Sequence, residues 1–214
     1  MECIPKMDSQ TTLVDNAAIV AERTLETIFV FDNNSMLNNV LSFEGTDHAA
    51  YLIKSNYIGT KTEVRKLVPP GSEGGPITEQ VLLARVYRND FLPDRVEFKR
   101  SPPKSIQRKK WLRKRRFYDP YVQQSGEGLS YFVWRPVDWR QLELVTENTG
   151  QVLARFWSSI PAKEPAKLSV LPEAEIMIDI VLLSLLIVEQ KYKVKEKFAM
   201  MASPRSASLP TIPS

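Results

Sequence analysis

A single cysteine, Cys3, in a chain of 214 residues rules out any internal disulfide. Together with a single histidine, His48, it also excludes Cys/His zinc sites, paired-cysteine redox motifs and haem attachment. The sequence has no phosphate-binding GxxxxGK[ST] loop, no GxGxxG turn, no GxSxG elbow and no HExxH helix. The first residues, Met1-Glu-Cys-Ile-Pro-Lys-Met, hold no apolar core behind a basic start, so no secretory signal is expected and an intracellular setting fits. Cys3 has no basic neighbour nearer than Lys6 to tune its thiol, and His48 follows Asp47 in a turn with no nucleophile in view. No catalytic set, metal site or cofactor site is expected, and the chain reads as a non-enzymatic module. Asn33-Asn34-Ser35 is a formal glycosylation acceptor that reads as a polar turn in this setting.

What the chain does have is a run of short β-rich segments. Residues 27–31, 37–43, 51–55, 61–68, 81–87, 95–98, 129–134, 141–145, 152–157 and 167–170 are rich in Val, Ile, Phe, Tyr and Trp and are separated by turn residues. Pro69-Pro-Gly-Ser-Glu-Gly-Gly-Pro76 is a loop, and Glu147-Asn-Thr-Gly150 is a hairpin turn. Trp134, Trp139 and Trp157, with Phe132 and Phe156, are placed in the wall and inner packing of this β domain. Residues 1–22 have no clear period and read as a flexible arm, and the small, proline-punctuated residues 198–214 read as a disordered tail.

One segment breaks the β pattern. Pro172, Glu173 and Glu175 suit a helix start, and Ile176–Val188 is apolar except at Asp179 and Ser184. Thirteen residues span only ~20 Å as a helix, against the ~30 Å hydrocarbon core of a bilayer, so a core helix over about 172–190 is favoured over a membrane span. A long buried strand is the other alternative. A helix apolar on every side needs burial on every side. The resulting fold class is mainly β (α+β): an antiparallel closed β-barrel, residues 23–197, around a central hydrophobic C-terminal helix. Asp179, an acid on this helix, needs a donor from a strand side chain or a backbone amide.

The chain resembles the Tubby C-terminal-like superfamily, which includes the plant LURP-one-related proteins and the phospholipid scramblases, and within it an uncharacterised fungal branch. The resemblance rests on Val81-Leu-Leu-Ala-Arg-Val-Tyr-Arg88, Tyr131-Phe-Val-Trp-Arg135 before Leu142-Glu-Leu144, Val152-Leu-Ala-Arg-Phe156, Leu168-Ser-Val-Leu-Pro172 and the apolar Ile176–Val188 run. It covers roughly residues 24 to 195. It implies a twelve-stranded barrel around a hydrophobic helix and, for the Tubby proteins, phosphoinositide binding through basic residues that align with no particular positions here.

The most distinctive local feature is basic. Residues 99–116 hold Lys99, Arg100, Lys104, Arg108, Lys109, Lys110, Arg113, Lys114, Arg115 and Arg116 and no acid. The rest of the chain, which carries all 25 acidic residues, is net negative. As an insert in the barrel, this segment is a candidate contact for an anionic membrane surface or phosphoinositide headgroup, with Trp111, Leu112 and Phe117 entering the interface. That places the protein in the cytoplasm or at a membrane periphery. Two alternatives are a bipartite nuclear-import signal and, ranked last, contact with nucleic acid; a merely solvated charged loop is the simplest reading of all. Ser101-Pro102 lies inside the segment, and a phosphate on Ser101 would weaken any such electrostatic contact.

Overall fold

The computed structural model describes residues 26–68, 79–89, 92–121 and 130–202. The arm at 1–22, Cys3, the proline-rich loop and residues 203–214 lie outside them. Twelve strands run up and down in one antiparallel sheet: β1 (Thr27–Phe31), β2 (Asn39–Phe43), β3 (Ala49–Ser55), β4 (Lys61–Val68), β5 (Glu79–Tyr87), β6 (Arg95–Phe98), β7 (Lys104–Gln107), β8 (Arg116–Tyr118), β9 (Tyr131–Pro136), β10 (Gln141–Thr146), β11 (Val152–Trp157) and β12 (Lys167–Val170). Their order is β7-β6-β5-β4-β3-β2-β1-β12-β11-β10-β9-β8, so the first and last strands in sequence are neighbours and β7 and β8 are the edges. A four-residue helix, α1 (Arg108–Trp111), joins those edges. After β12 come a 3₁₀ segment (Pro172–Met177) and a long helix, α2 (Ile178–Ala202).

The alternation of side chains explains the strands. In β6, Val96 and Phe98 face the core while Arg95 and Glu97 face out; in β4, Thr62 and Val64 face in and Glu63 faces out. Register shifts at Leu41/Ser42, Val64/Arg65 and Leu144/Val145 add bulges, which bend a strand and raise its twist. Outward carboxylates are held by cations on their own and on neighbouring strands. Glu63 accepts from Lys61, Arg65 and Arg85 at 2.8–3.0 Å, and these hydrogen bonds, those of Arg65 and Lys61 foremost, hold its carboxyl at about 2.

Every residue from Ile180 to Glu189 is buried, so nearly three helical turns of α2 are covered on all sides. Two hydrogen bonds fix this helix. Tyr51 Oη of β3 donates to Asp179 Oδ1 at 2.9 Å, which supplies the strand partner Asp179 needs. Burial, then the neighbouring Asp179, raises the Tyr51 hydroxyl well above its ordinary range, so it stays a donor. Trp134 Nε1 of β9 donates to Ser184 Oγ at 2.9 Å, and Ser184 Oγ donates to Val181 O at 2.8 Å. Asp179 and Ser184 are five residues apart, about 140° around the helix, so two distant strands hold it from different sides.

Four expectations need correcting. The helix runs to Ala202, beyond Gln190 and into the segment assigned to the tail. Ile176 lies in the 3₁₀ segment and is 87% exposed, because that segment meets solvent before the chain enters the core. Trp139 is 84% exposed, because it sits at the β9–β10 turn and not on a strand. The basic segment is no insert: it contains the edge strand β7 and the helix α1, and its last residue, Arg116, starts the other edge strand, β8. No helix among the described residues is long and apolar enough to cross a membrane.

The two sheet edges share no ladder. Side chains link them: Trp111 of α1 packs edge-on against Phe98 of β6 at 5.0 Å and against Phe117 of β8 at 5.9 Å, and its Nε1 donates to Tyr118 O at 2.8 Å.

Candidate functional site

The cationic segment folds around its two apolar residues. Trp111 and Leu112 lie between Lys109-Lys110 and Arg113-Lys114; burying them in the core turns the flanking charges outward. Leu112 N closes the α1 turn on Arg108 O at 2.7 Å. Arg113 and Arg116 then exchange backbone hydrogen bonds of 2.9 Å in a two-residue hairpin whose central residues, Lys114 and Arg115, have φ of 50° and 73°. That hairpin geometry favours Asn and Gly; two long cationic residues there cost of order 1 kcal/mol each in backbone strain.

The structure divides the ten cations. Lys99, Arg100 and Lys104 sit at the β6–β7 hairpin, separated from α1 by the length of β7. Lys99 pairs with Glu97 at 3.1 Å; Arg100 lies over the Tyr121 ring at 5.4 Å; Lys104 lies over the same ring and donates to Pro120 O. Ser101 is exposed at that hairpin, separated from α1 by the length of β7. Arg108 is held by Asp94 at 2.7 Å. Arg116 pairs with Glu147 at 2.7 Å, which raises its pKa, and stacks on Tyr131 at 3.5 Å. The Arg115 carbonyl accepts from Trp134 N at 3.1 Å.

Lys109, Lys110, Arg113 and Lys114 remain. All four are exposed and no carboxylate among the described residues pairs with them. They line an open cleft of about 620 Å³ that runs from the α1 turn along β8 and β9 to Tyr131, Val133 and Glu147. The cleft offers several unpaired donors, an aromatic wall already stacked with a guanidinium, and one carboxylate already committed to Arg116. This is an arrangement for holding anions.

Trp111, Leu112 and Phe117 are buried, so the expectation that they enter a lipid interface fails: they are the core against which the cationic turn is built. The other residues weighed in sequence carry no site geometry. His48 is exposed in the β2–β3 turn, Asn33 and Ser35 lie in the polar β1–β2 turn organised by Asn39, and no group of three metal-ligating side chains exists among the described residues. What sequence reasoning missed is the sorting of the charges. The only signal for it was the apolar Trp111-Leu112 pair in the middle of the cationic run.

A family model described as "Family of unknown function (DUF6593)" matches residues 34–194, most of the chain, and the protein belongs to that family. No curated protein and no solved structure matches it.

Proposed function

We propose that this member of the family is a non-enzymatic binding module that docks on anionic membrane surfaces through Lys109, Lys110, Arg113 and Lys114. The observation that carries the reading is the contrast within the basic segment. Six of its ten cations are engaged by ion pairs, rings or other contacts, while these four have no partner among the described residues and stand around an open cleft. Near an anionic leaflet each such side chain contributes about 1 kcal/mol, so four supply about 4 kcal/mol, roughly a thousandfold in affinity, and the attraction falls within a screening length. Strain kept at Lys114 and Arg115 agrees with a turn shaped for contact rather than for stability. An import signal would need both halves of the segment displayed together, but its first half, Lys99 and Arg100, is engaged at a separate hairpin. A peripheral, intracellular location follows from the membrane reading.

The fold part of the proposal is that the sheet is wrapped around α2 as a Tubby-like barrel with a seam between β7 and β8. Supporting it are the ten consecutive buried helix residues and the Phe98–Trp111–Phe117 stack across the two edges.

The test is flotation of purified protein with neutral, phosphatidylserine and phosphoinositide vesicles at low and high salt, beside a variant with the four cations changed to alanine. Flotation that requires anionic lipid, weakens with salt and vanishes in the variant is expected. No flotation at low salt refutes the proposal.

A further inference from the structure

We infer that the apolar turn tips flanking α1 enter the bilayer interface, making docking end-on and partly resistant to salt; this rests on the membrane reading above. In an up-and-down sheet every turn that follows an odd-numbered strand lies at one end. Sheet order sets the α1 turn between the β5–β6 turn on one side and the β9–β10 turn on the other. Backbone hydrogen bonds link neighbours here: Arg108 N to Asp94 O at 2.8 Å joins the α1 turn to the β5–β6 turn, Arg88 N to Thr60 O at 2.8 Å joins that turn to the β3–β4 turn, and Trp134 N to Arg115 O at 3.1 Å joins strand β9, which leads into the β9–β10 turn, to the α1 turn.

Those flanking turns carry Tyr57 and Ile58, Leu92, and Val137 and Trp139, each more than half exposed. Tyr57 and Ile58 are presented by a tight turn in which Gly59 adopts φ 69° and bonds back to Asn56 O at 2.9 Å. Trp139 is presented by a turn in which Asp138 Oδ1 accepts from the backbone N–H groups of Arg140 and Gln141 at 2.6 and 2.7 Å. Arg140 lies over the Trp139 ring at 5.4 Å. Both turns are rigidly built, and each holds large apolar side chains in water.

The opposite end differs. Its described turns hold Glu44, Asp47, Asp119, Glu173 and Glu175, with Glu147 taken up by Arg116 and with Lys99 and Arg100 as the basic residues, and among the described side chains more than half exposed only one large apolar residue, Ile176, lies there. Apolar tips and unpaired cations thus share one end, and acids dominate the other. A bilayer interface with anionic headgroups matches that end: it takes aromatic and aliphatic tips at the level of the headgroups and neutralises the cations between them. A protein partner or a second copy would have to match both the tips and four unpaired positive charges.

Trp139 also serves as the reporter, since Trp111 and Trp134 are buried and Trp157 is half-buried. The full chain is mixed with phosphatidylserine vesicles whose acyl chains carry bromine, and tryptophan emission is followed at low salt and at about 1 M salt, where the screening length is about 3 Å. Quenching that persists in part at high salt and is lost in Trp139→Phe, with low-salt flotation of that variant retained, is the expected result. An Ile58→Ser/Trp139→Ser variant should then float only at low salt. Flotation of the unaltered chain without quenching overturns the inference and leaves the membrane reading standing; absence of flotation removes both. A blue-shifted Trp139 emission without vesicles, together with a dimer in sedimentation, assigns the tips to self-association and overturns it as well.

Discussion

Trp111 and Trp139 stand in similar company in the sequence, each beside a basic residue and close to an aliphatic one, yet their environments are opposite. Trp111, in the most cationic stretch of the chain, is buried between Phe98 and Phe117 with its indole N–H satisfied by Tyr118 O. Trp139, from a segment that reads as barrel wall, stands in solvent. Neighbouring charge does not decide burial. What decides it is whether the backbone can bring the ring to the core side of the sheet: α1 turns Trp111 inward against Phe98 and Phe117, while the β9–β10 turn leaves Trp139 beyond the last paired residue, Pro136. The same geometry makes one ring a structural element and the other available for contact.

The comparison can be broken most sharply at Trp111. Trp111→Ala should cost about 3–5 kcal/mol in urea unfolding, by transfer and cavity terms together, whereas Trp139→Ala should change stability by less than about 0.5 kcal/mol. Equal effects would mean that the two environments are not as described. Next in size is the helix anchor. Ser184→Ala leaves the buried Trp134 indole N–H without its acceptor and should cost about 1–3 kcal/mol by the same measurement.

A smaller effect lies on the outer face. Glu63, held at about 2 by Arg65, Lys61 and Arg85, contributes stability that is complete above its ordinary value near 4.5 and is lost as pH falls toward 2. Glu63→Gln should therefore be less stable than the parent by about 1 kcal/mol at pH 7, with the gap closing in acid; a gap that widens in acid would contradict the assignment. Smallest is the strained hairpin. Lys114→Gly removes a left-handed non-glycine residue and should raise stability by up to about 1 kcal/mol while weakening vesicle binding, a separation of stability from function visible by running melts and flotation on the same sample.

Much of the sheet was legible because its strands alternate cleanly. The ranges of β1, β4, β6, β11 and β12 agree with the apolar pattern residue for residue, and the Ile176–Val188 run, apolar except at Asp179 and Ser184, announced a helix whose residues from Ile180 on are covered on every side. The edges were not legible. β7 and β8 have four and three residues, Lys-Ser-Ile-Gln and Arg-Phe-Tyr, too few for a period of two to emerge. The Arg113–Arg116 hairpin lacks the Asn or Gly that marks such turns. The ten cations stand out in the sequence as one run, but their sorting into engaged and unpaired groups depends on Asp94, Glu97, Glu147, Tyr121 and Tyr131, partners that only the fold brings near. The apolar tips were invisible for the same reason: Tyr57, Leu92 and Trp139 are far apart in sequence and share an end only through strand order.

The central claim is that one end of the sheet faces the membrane. Amide hydrogen exchange of the full chain, with and without phosphatidylserine vesicles, tests it most directly. Added protection should fall on residues 56–60, 109–115 and 137–140, with 44–48 and 99–103 unchanged. Protection at the second group instead, or spread equally over both ends, would contradict the account.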